Sequence, residues 1–308
     1  MTEKRGAFEL HTKLFEPTEQ EQSILRSQER IVPFEVLHPF GISEGRQSRV
    51  SVLEYSIGGQ RDKVIWKRMG AGKGLTHTEA LSLERRIFPY RETLMGYGWS
   101  VPPVFFHKAI EIEGEGQIFS YEKMVEGGDA GFMVANPKEP NFRKWFVVKT
   151  ALSILAGHKL SELERVEILG KEVSRLPYGI DLKLENLVLS REGTLFFVDS
   201  FCPKELNAAG DWLTYSTKLD LLPVENLKAV TATREGALLR LYRLAEQRWA
   251  KAGIETPQLR SDFLESITAS DLPEQEKKAI TAEVESNFPW LDKVYNERDV
   301  WLLTPTNV

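Results

Sequence analysis

Between Val32 and Val125 the chain is written in short β-like runs, VPFEVL, SRVSVLEYSI, KVIWKRM, VPPVFFHKAI and GQIFSYEKMV, which predict about five strands. Gly58-Gly59, lying between SVLEYSI and KVIWKRM, predicts a hairpin because glycine tolerates the positive φ of a tight turn. Between Lys73 and Ser100 the period changes to that of a helix. Thr76 and Glu79 form a T-x-x-E capping box at its start. Leu81, Glu84, Ile87 and Phe88 are expected on roughly one face, and Pro89 is expected to interrupt or bend the helix because it has no N–H to donate.

After Gly127-Gly128 the chain reads as a loop through Pro140, a boundary rich in linker residues. From Phe142 to Leu169 the pattern is helical, with Phe146, Thr150, Ile154 and Leu155 at three- and four-residue spacing. ENLVLS and TLFFVDS then read as two strands joined at Arg191-Glu192-Gly193. Beyond Trp212 the sequence is mainly helical, and residues 1–31 form a polar extension. There is no internal repeat.

Composition narrows the partners. Forty Lys plus Arg against 45 Asp plus Glu give a net charge of −5, with no basic stretch of the kind a nucleic-acid groove needs. No uncharged apolar run approaches the roughly 20 residues that span a bilayer, so no membrane partner is expected. The N-terminal residues lack the apolar run of a secretory signal. Cys202 is the single cysteine and has no partner for an internal disulfide, while the five His are scattered without zinc-ligand spacing. A reducing, cytoplasmic setting is expected.

The densest chemistry lies in Gly179–Phe201, GIDLKLENLVLSREGTLFFVDSF: D-x-x-x-x-N, an apolar strand, a Gly turn, a second apolar strand, then Asp-Ser-Phe. This stretch resembles the kinase-like superfamily, both its protein kinases and its aminoglycoside and choline phosphotransferase branch, in which H-x-D-x-x-x-x-N and D-F-G stand at such a separation. The resemblance implies an α+β, two-lobed fold. Residues 32–126 would form a nucleotide-binding sheet lobe with one helix, and residues 127–308 a mainly helical catalytic lobe. It also implies ATP and Mg²⁺ as cofactors, with Asp181 as catalytic base or hydroxyl-orienting group, Asn186 and Asp199 as metal ligands, and Lys183 as a neutraliser of the transferring phosphoryl group. An unremarkable alternative is a solvated turn followed by an ordinary strand end.

Lys67, in VIWKRM, is a charge among apolar neighbours. The resemblance implies that it grips the α- and β-phosphates and pairs with a Glu of the following helix, for which Glu84 is preferred over Glu79. Gly41–Val50 resembles a nucleotide-covering loop, with Ser48 as its hydroxyl, although an ordinary hairpin fits as well. FSYEKMVEGG resembles the hinge that pairs with adenine, with Glu122, Lys123 and Met124 as candidates. Met69–Gly74 is no P-loop: position 67 is Lys where that motif needs Gly, and no Ser or Thr follows Lys73.

Two departures stand out. Gly179 occupies the place of the family's His, with Tyr178 beside it as a substitute, and Ser200-Phe201 replaces Phe-Gly. No long activation segment or A-P-E motif follows Asp199, and the acceptor is therefore expected to be the hydroxyl of a small molecule. Asp211 and Asp220 are further candidates for bracing the loop or meeting a cationic substrate. A protein substrate (suggested by Lys183), a nucleotide-binding protein without turnover, and AMP transfer are the competing readings.

Overall fold

A computed structural model describes residues 35–44, 48–57, 60–70, 72–157, 163–199, 204–205, 224–254 and 256–295. The N-terminal extension, the Gly58-Gly59 turn, Ser200–Cys202, Asp211, Asp220, His11 and His158 lie outside these. The fold is α+β. Its contacts group into two units, one running to Glu84 and including Pro103–Met124, the other comprising Arg85–Pro102 and Val125–Thr306.

The first unit is built on an antiparallel sheet of β1 (Glu35–Glu44), β2 (Ser48–Ile57), β3 (Gln60–Met69), β4 (Val104–Ile112) and β5 (Glu115–Lys123), in the order β1-β2-β3-β5-β4. Strands β2 and β3 pair along their whole length, from Ser48 opposite Met69 to Ile57 opposite Gln60. β5 lies between β3 and β4 and is buried from Gly116 to Glu122, on both faces, which explains why its sequence does not alternate. Trp66 of β3 packs against Phe119 of β5 with ring centroids 5.6 Å apart. Much of the expected nucleotide-covering loop is ladder: Ile42, Ser43 and Glu44 pair with Ser51, Val50 and Arg49, and residues 45–47 lie outside the described residues.

Helix α1 (His77–Tyr97) starts as its capping box dictates. Thr76 N–H donates to Glu79 Oε2 at 2.7 Å, and Glu79 N–H to Thr76 Oγ1 at 3.2 Å. Of the interruption or bend expected at Pro89, no interruption occurs: the helix runs through it, and Thr93 Oγ1 donates to the Pro89 carbonyl. Its buried face is Ala80, Leu83, Ile87, Tyr90, Leu94 and Tyr97. Phe88, expected with Ile87, is exposed: one residue of helix turns the chain by about 100°, and Ile87 already occupies the inner face.

In the second unit, β10 (Leu187–Ser190) and β11 (Leu195–Phe197) form the expected hairpin, closed at Gly193 with φ +83°. Segment 127–140, expected as loop, supplies β6 (Gly127–Asp129), which pairs with β10, and the short helix α2 (Ala130–Ala135). The long helix expected to Leu169 divides into α3 (Asn141–Ala156) and a hairpin of β7 (Arg165–Ile168) and β8 (Lys171–Ser174) turning on Leu169-Gly170. Phe142 and Phe146 face outward on α3, because its inner stripe is Val147, Val148, Ala151, Leu152 and Leu155. A two-residue pair joins β9 (Tyr178–Gly179) to β12 (Lys204–Glu205).

Among the described residues the unit holds five further helices: α4 (Val224–Thr231), α5 (Arg234–Lys251), α6 (Pro257–Thr268), α7 (Glu274–Glu285) and α8 (Pro289–Val294). α5 is its central post, buried over most of its length. Thr233 caps α5 by accepting from Gly236 N–H, and a Cβ at Gly236 would fall 1.8 Å from the Ala229 carbonyl, so only glycine admits this close approach to α4.

Two buried charge arrangements carry testable consequences. The Lys144 side chain of α3 is fully enclosed, and its ammonium has no hydrogen-bond partner among the described residues; it lies 6.0 Å from the Trp249 ring centre, and burial lowers its pKa. Desolvating such a group without a hydrogen bond costs on the order of 2 kcal/mol or more, so Lys144→Met is expected to raise the thermal midpoint, as calorimetry would show. Glu235, also enclosed, accepts from Ser174 N–H at 2.8 Å and meets Arg165 at 2.5 Å, while Arg234 pairs with Glu276 at 2.6 Å. Burial, then the nearby Glu276 charge, raise the Glu235 pKa above its ordinary 4.5. The folded chain thus holds that proton more tightly than the unfolded one, so this contribution is complete at low pH and is lost as pH rises through the raised value. Denaturant titrations should show a smaller loss of stability from pH 4.5 upward in Glu235→Gln than in wild type.

Candidate functional site

Residues 180–185 alternate inward and outward. Ile180, Leu182, Leu184 and Leu187 are buried, which leaves Asp181 and Lys183 on the outer side of the loop. Ile180 N–H donates to the Thr231 carbonyl at 2.6 Å and ties the start of the loop to α4. A single 3-10 turn over Leu184–Asn186 then brings Asn186 back beside Asp181.

The hairpin register does the rest. With Leu187 opposite Phe197, Asn186 falls opposite Val198, whose N–H donates to the Asn186 carbonyl at 2.8 Å. Asp199 follows at once, at the open end of the ladder. Asn186 Nδ2 donates to the Asp181 carbonyl oxygen at 2.8 Å and to Asp199 Oδ2 at 3.2 Å, with Asp181 Oδ2 at 3.5 Å. Asp181, Asn186 and Asp199 thus form one cluster. Lys183 joins it, its ammonium 3.0 Å from Asp181 Oδ2.

One further member was not anticipated. Arg240 of α5 reaches Asp181 Oδ1 at 2.5 Å, so the Asp181 carboxylate lies between two cations. Two turns further along the same helix, Arg248 pairs with Glu185. The spacing of eight puts both guanidiniums on roughly one face of α5, matched to two acids four residues apart in the loop. Fully buried Tyr295 lies near Arg240, and burial pushes its phenol up to about 12. Tyr178, the candidate substitute for the missing His, donates its backbone N–H to Tyr97 Oη at 3.3 Å. The only sequence signal for Arg240 was a charge in an otherwise inward-facing stretch, ALLRLYRLA.

In the first unit, Lys67 is buried and bonds to Glu122 Oε2 at 2.7 Å. This corrects the expected pairing with Glu84, whose Oε2 instead accepts from Ala109 N–H of β4 at 2.9 Å. The cause is geometric: Glu122 lies diagonally across the β3–β5 ladder from Lys67, within side-chain reach, while Glu84 is taken up by the sheet backbone. Glu122 is accordingly a buried strand residue, and the half-buried Met124 lies just beyond the end of β5. Ser48 opens β2 opposite Met69.

A divalent cation is tested by the donor set. Among the described residues no group of three or more His, Cys, Asp or Glu could hold a metal. Asp199 offers a carboxylate, and Asn186 an amide whose nitrogen faces that carboxylate in this arrangement. With the amide turned by about 180° the pair would present one carboxylate and one amide oxygen, a set that suits Mg²⁺, which is commonly bound through one or two carboxylates with phosphates and water completing its shell. No helix among the described residues is long and apolar enough to cross a membrane. No family model matches this sequence, and no curated protein matches it.

Replacing Arg240 by Gln would leave the Asp181 carboxylate without its enclosed counter-charge. A loss of about 1–3 kcal/mol in unfolding free energy is expected by denaturant titration, with a smaller loss for Arg240→Lys.

Proposed function

We propose that this chain is a two-lobed, kinase-like phosphotransferase that moves the γ-phosphoryl group of ATP to a hydroxyl of a small molecule. Candidate acceptors are an aminoglycoside, an amino alcohol, a sugar, a nucleoside or a biosynthetic intermediate. The observation that carries this reading is the assembly of Asp181, Asn186 and Asp199 by a short loop and a β-hairpin, at the spacing on which the family resemblance rests.

In this reading Asn186 and Asp199 hold Mg²⁺, and Lys67 binds the α- and β-phosphates. The bound ion supplies charge neutralisation on the phosphates. Asp181 accepts a hydrogen bond from the acceptor hydroxyl and aims its oxygen at phosphorus. The bond from phosphorus to the β–γ bridging oxygen breaks as the new one forms, and the hydroxyl proton leaves through Asp181 to solvent. Lys183, already beside Asp181, faces the charge that develops on the phosphoryl oxygens.

A second reading, a protein that binds nucleotide without turning it over, draws support from the Arg240 and Lys183 contacts that occupy both oxygens of Asp181. A metabolite library screened for ADP formation separates the two. Under the first reading Asp181→Ala loses transfer by a factor of about 100 or more while retaining Mg-ATP affinity, and Asp199→Ala loses Mg-ATP binding itself. A fully active Asp181→Ala protein would refute the role of Asp181, and tight Mg-ATP binding with no turnover of any acceptor would favour the second reading.

A further inference from the structure

A buried lysine and a buried glutamate in the middle of a five-stranded sheet require a reason, because each ion loses its hydration on folding. Lys67 is 9% exposed and Glu122 1%. β3 and β5 run antiparallel with Lys67 opposite Ser120, so Glu122, two residues along β5, projects from the same face of the sheet. Its two oxygens are both engaged: Oε2 takes the Lys67 ammonium at 2.7 Å, and Oε1 accepts from Ser120 Oγ at 3.2 Å. Ser120 is as enclosed as Glu122. The carboxylate is therefore held from two sides, and both of these holds come from the sheet.

We propose that Glu122 is the positioning residue that sets the Lys67 ammonium for phosphate binding, so that the grip on the nucleotide is built into the sheet and needs no carboxylate from helix α1. Glu84 is engaged instead with the β4 backbone at Ala109. This rests on the phosphotransferase reading for its ligand, a nucleoside triphosphate, and deepens it by naming the group that orients the phosphate-binding lysine. An ammonium fixed at one carboxylate oxygen keeps its remaining N–H donors in set directions, which favours a phosphate over a ligand lacking one.

The test is titration calorimetry with two probes, Mg-ATP and adenosine, on wild type, Glu122→Gln and Glu84→Gln, with thermal unfolding of each. Glu122→Gln should weaken Mg-ATP by at least about tenfold and leave adenosine within about twofold, whereas Glu84→Gln should leave both within about twofold. Equal loss for both probes would mark Glu122 as merely structural and overturn the proposal, as would unchanged Mg-ATP affinity. If Glu122→Gln fails to fold, Ser120→Ala replaces it, since it removes only the hydrogen bond on Oε1. A loss of about two- to fivefold confined to Mg-ATP supports the assignment, and no loss overturns it. A wild-type protein that binds no Mg-ATP removes the phosphotransferase reading and this proposal together, whereas wild-type binding with an indifferent Glu122 removes this proposal alone.

Discussion

The candidate site depends on burying alternate residues of one short loop. Because Ile180, Leu182 and Leu184 are drawn into the apolar core, the intervening Asp181 and Lys183 have no choice but to face outward together. At roughly 1.5–3 kcal/mol for each fully buried leucine, this inward pull far exceeds what any single contact among the polar groups supplies. The polar cluster is a by-product of apolar packing, and its accuracy is inherited from that packing.

A second constraint is the ladder between β10 and β11. A slip of one residue would reverse the facing of every side chain on β11 and carry Asp199 away from Asn186. Three features resist it: the turn at Gly193, the third strand β6 on the far edge of β10, and the bond from Phe197 N–H to the Ser100 carbonyl. β6 also explains why residues that look like a linker are ordered here. Gly127 and Gly128 meet the backbone of β10 at a distance where a Cβ on Gly127 would lie 2.1 Å from the Leu189 carbonyl. Composition suited to a loop was in fact composition suited to close approach.

Much of this was legible in the sequence, and the misses share a cause. The five strands, the capping box at Thr76 and the hairpin around Gly193 are local events, governed by neighbours within a few residues, and the pattern of the chain announces them. The Asp181–Asn186–Asp199 cluster was readable for the same reason, since loop and hairpin are contiguous. What escaped depends on partners far away in the chain. Arg240 lies 59 residues beyond Asp181, and Glu122 lies 55 beyond Lys67, so neither pairing leaves a mark in local spacing. The preference for Glu84 followed the family resemblance and could not register that a sheet offered a nearer carboxylate. The split of the expected long helix at Ala156 was obscured because VEILGKEVS has apolar positions compatible with either period.

The two arginines of α5 act as a vernier. Arg240 and Arg248 are separated by about 12 Å of helix axis and must both find their acids at once, so the helix has one acceptable axial setting against the loop and one acceptable rotation. A single residue inserted between positions 240 and 248 would turn one guanidinium about 100° further around the helix and away from its acid. The number of residues between the two arginines is thus constrained as tightly as the buried composition of the rest of α5.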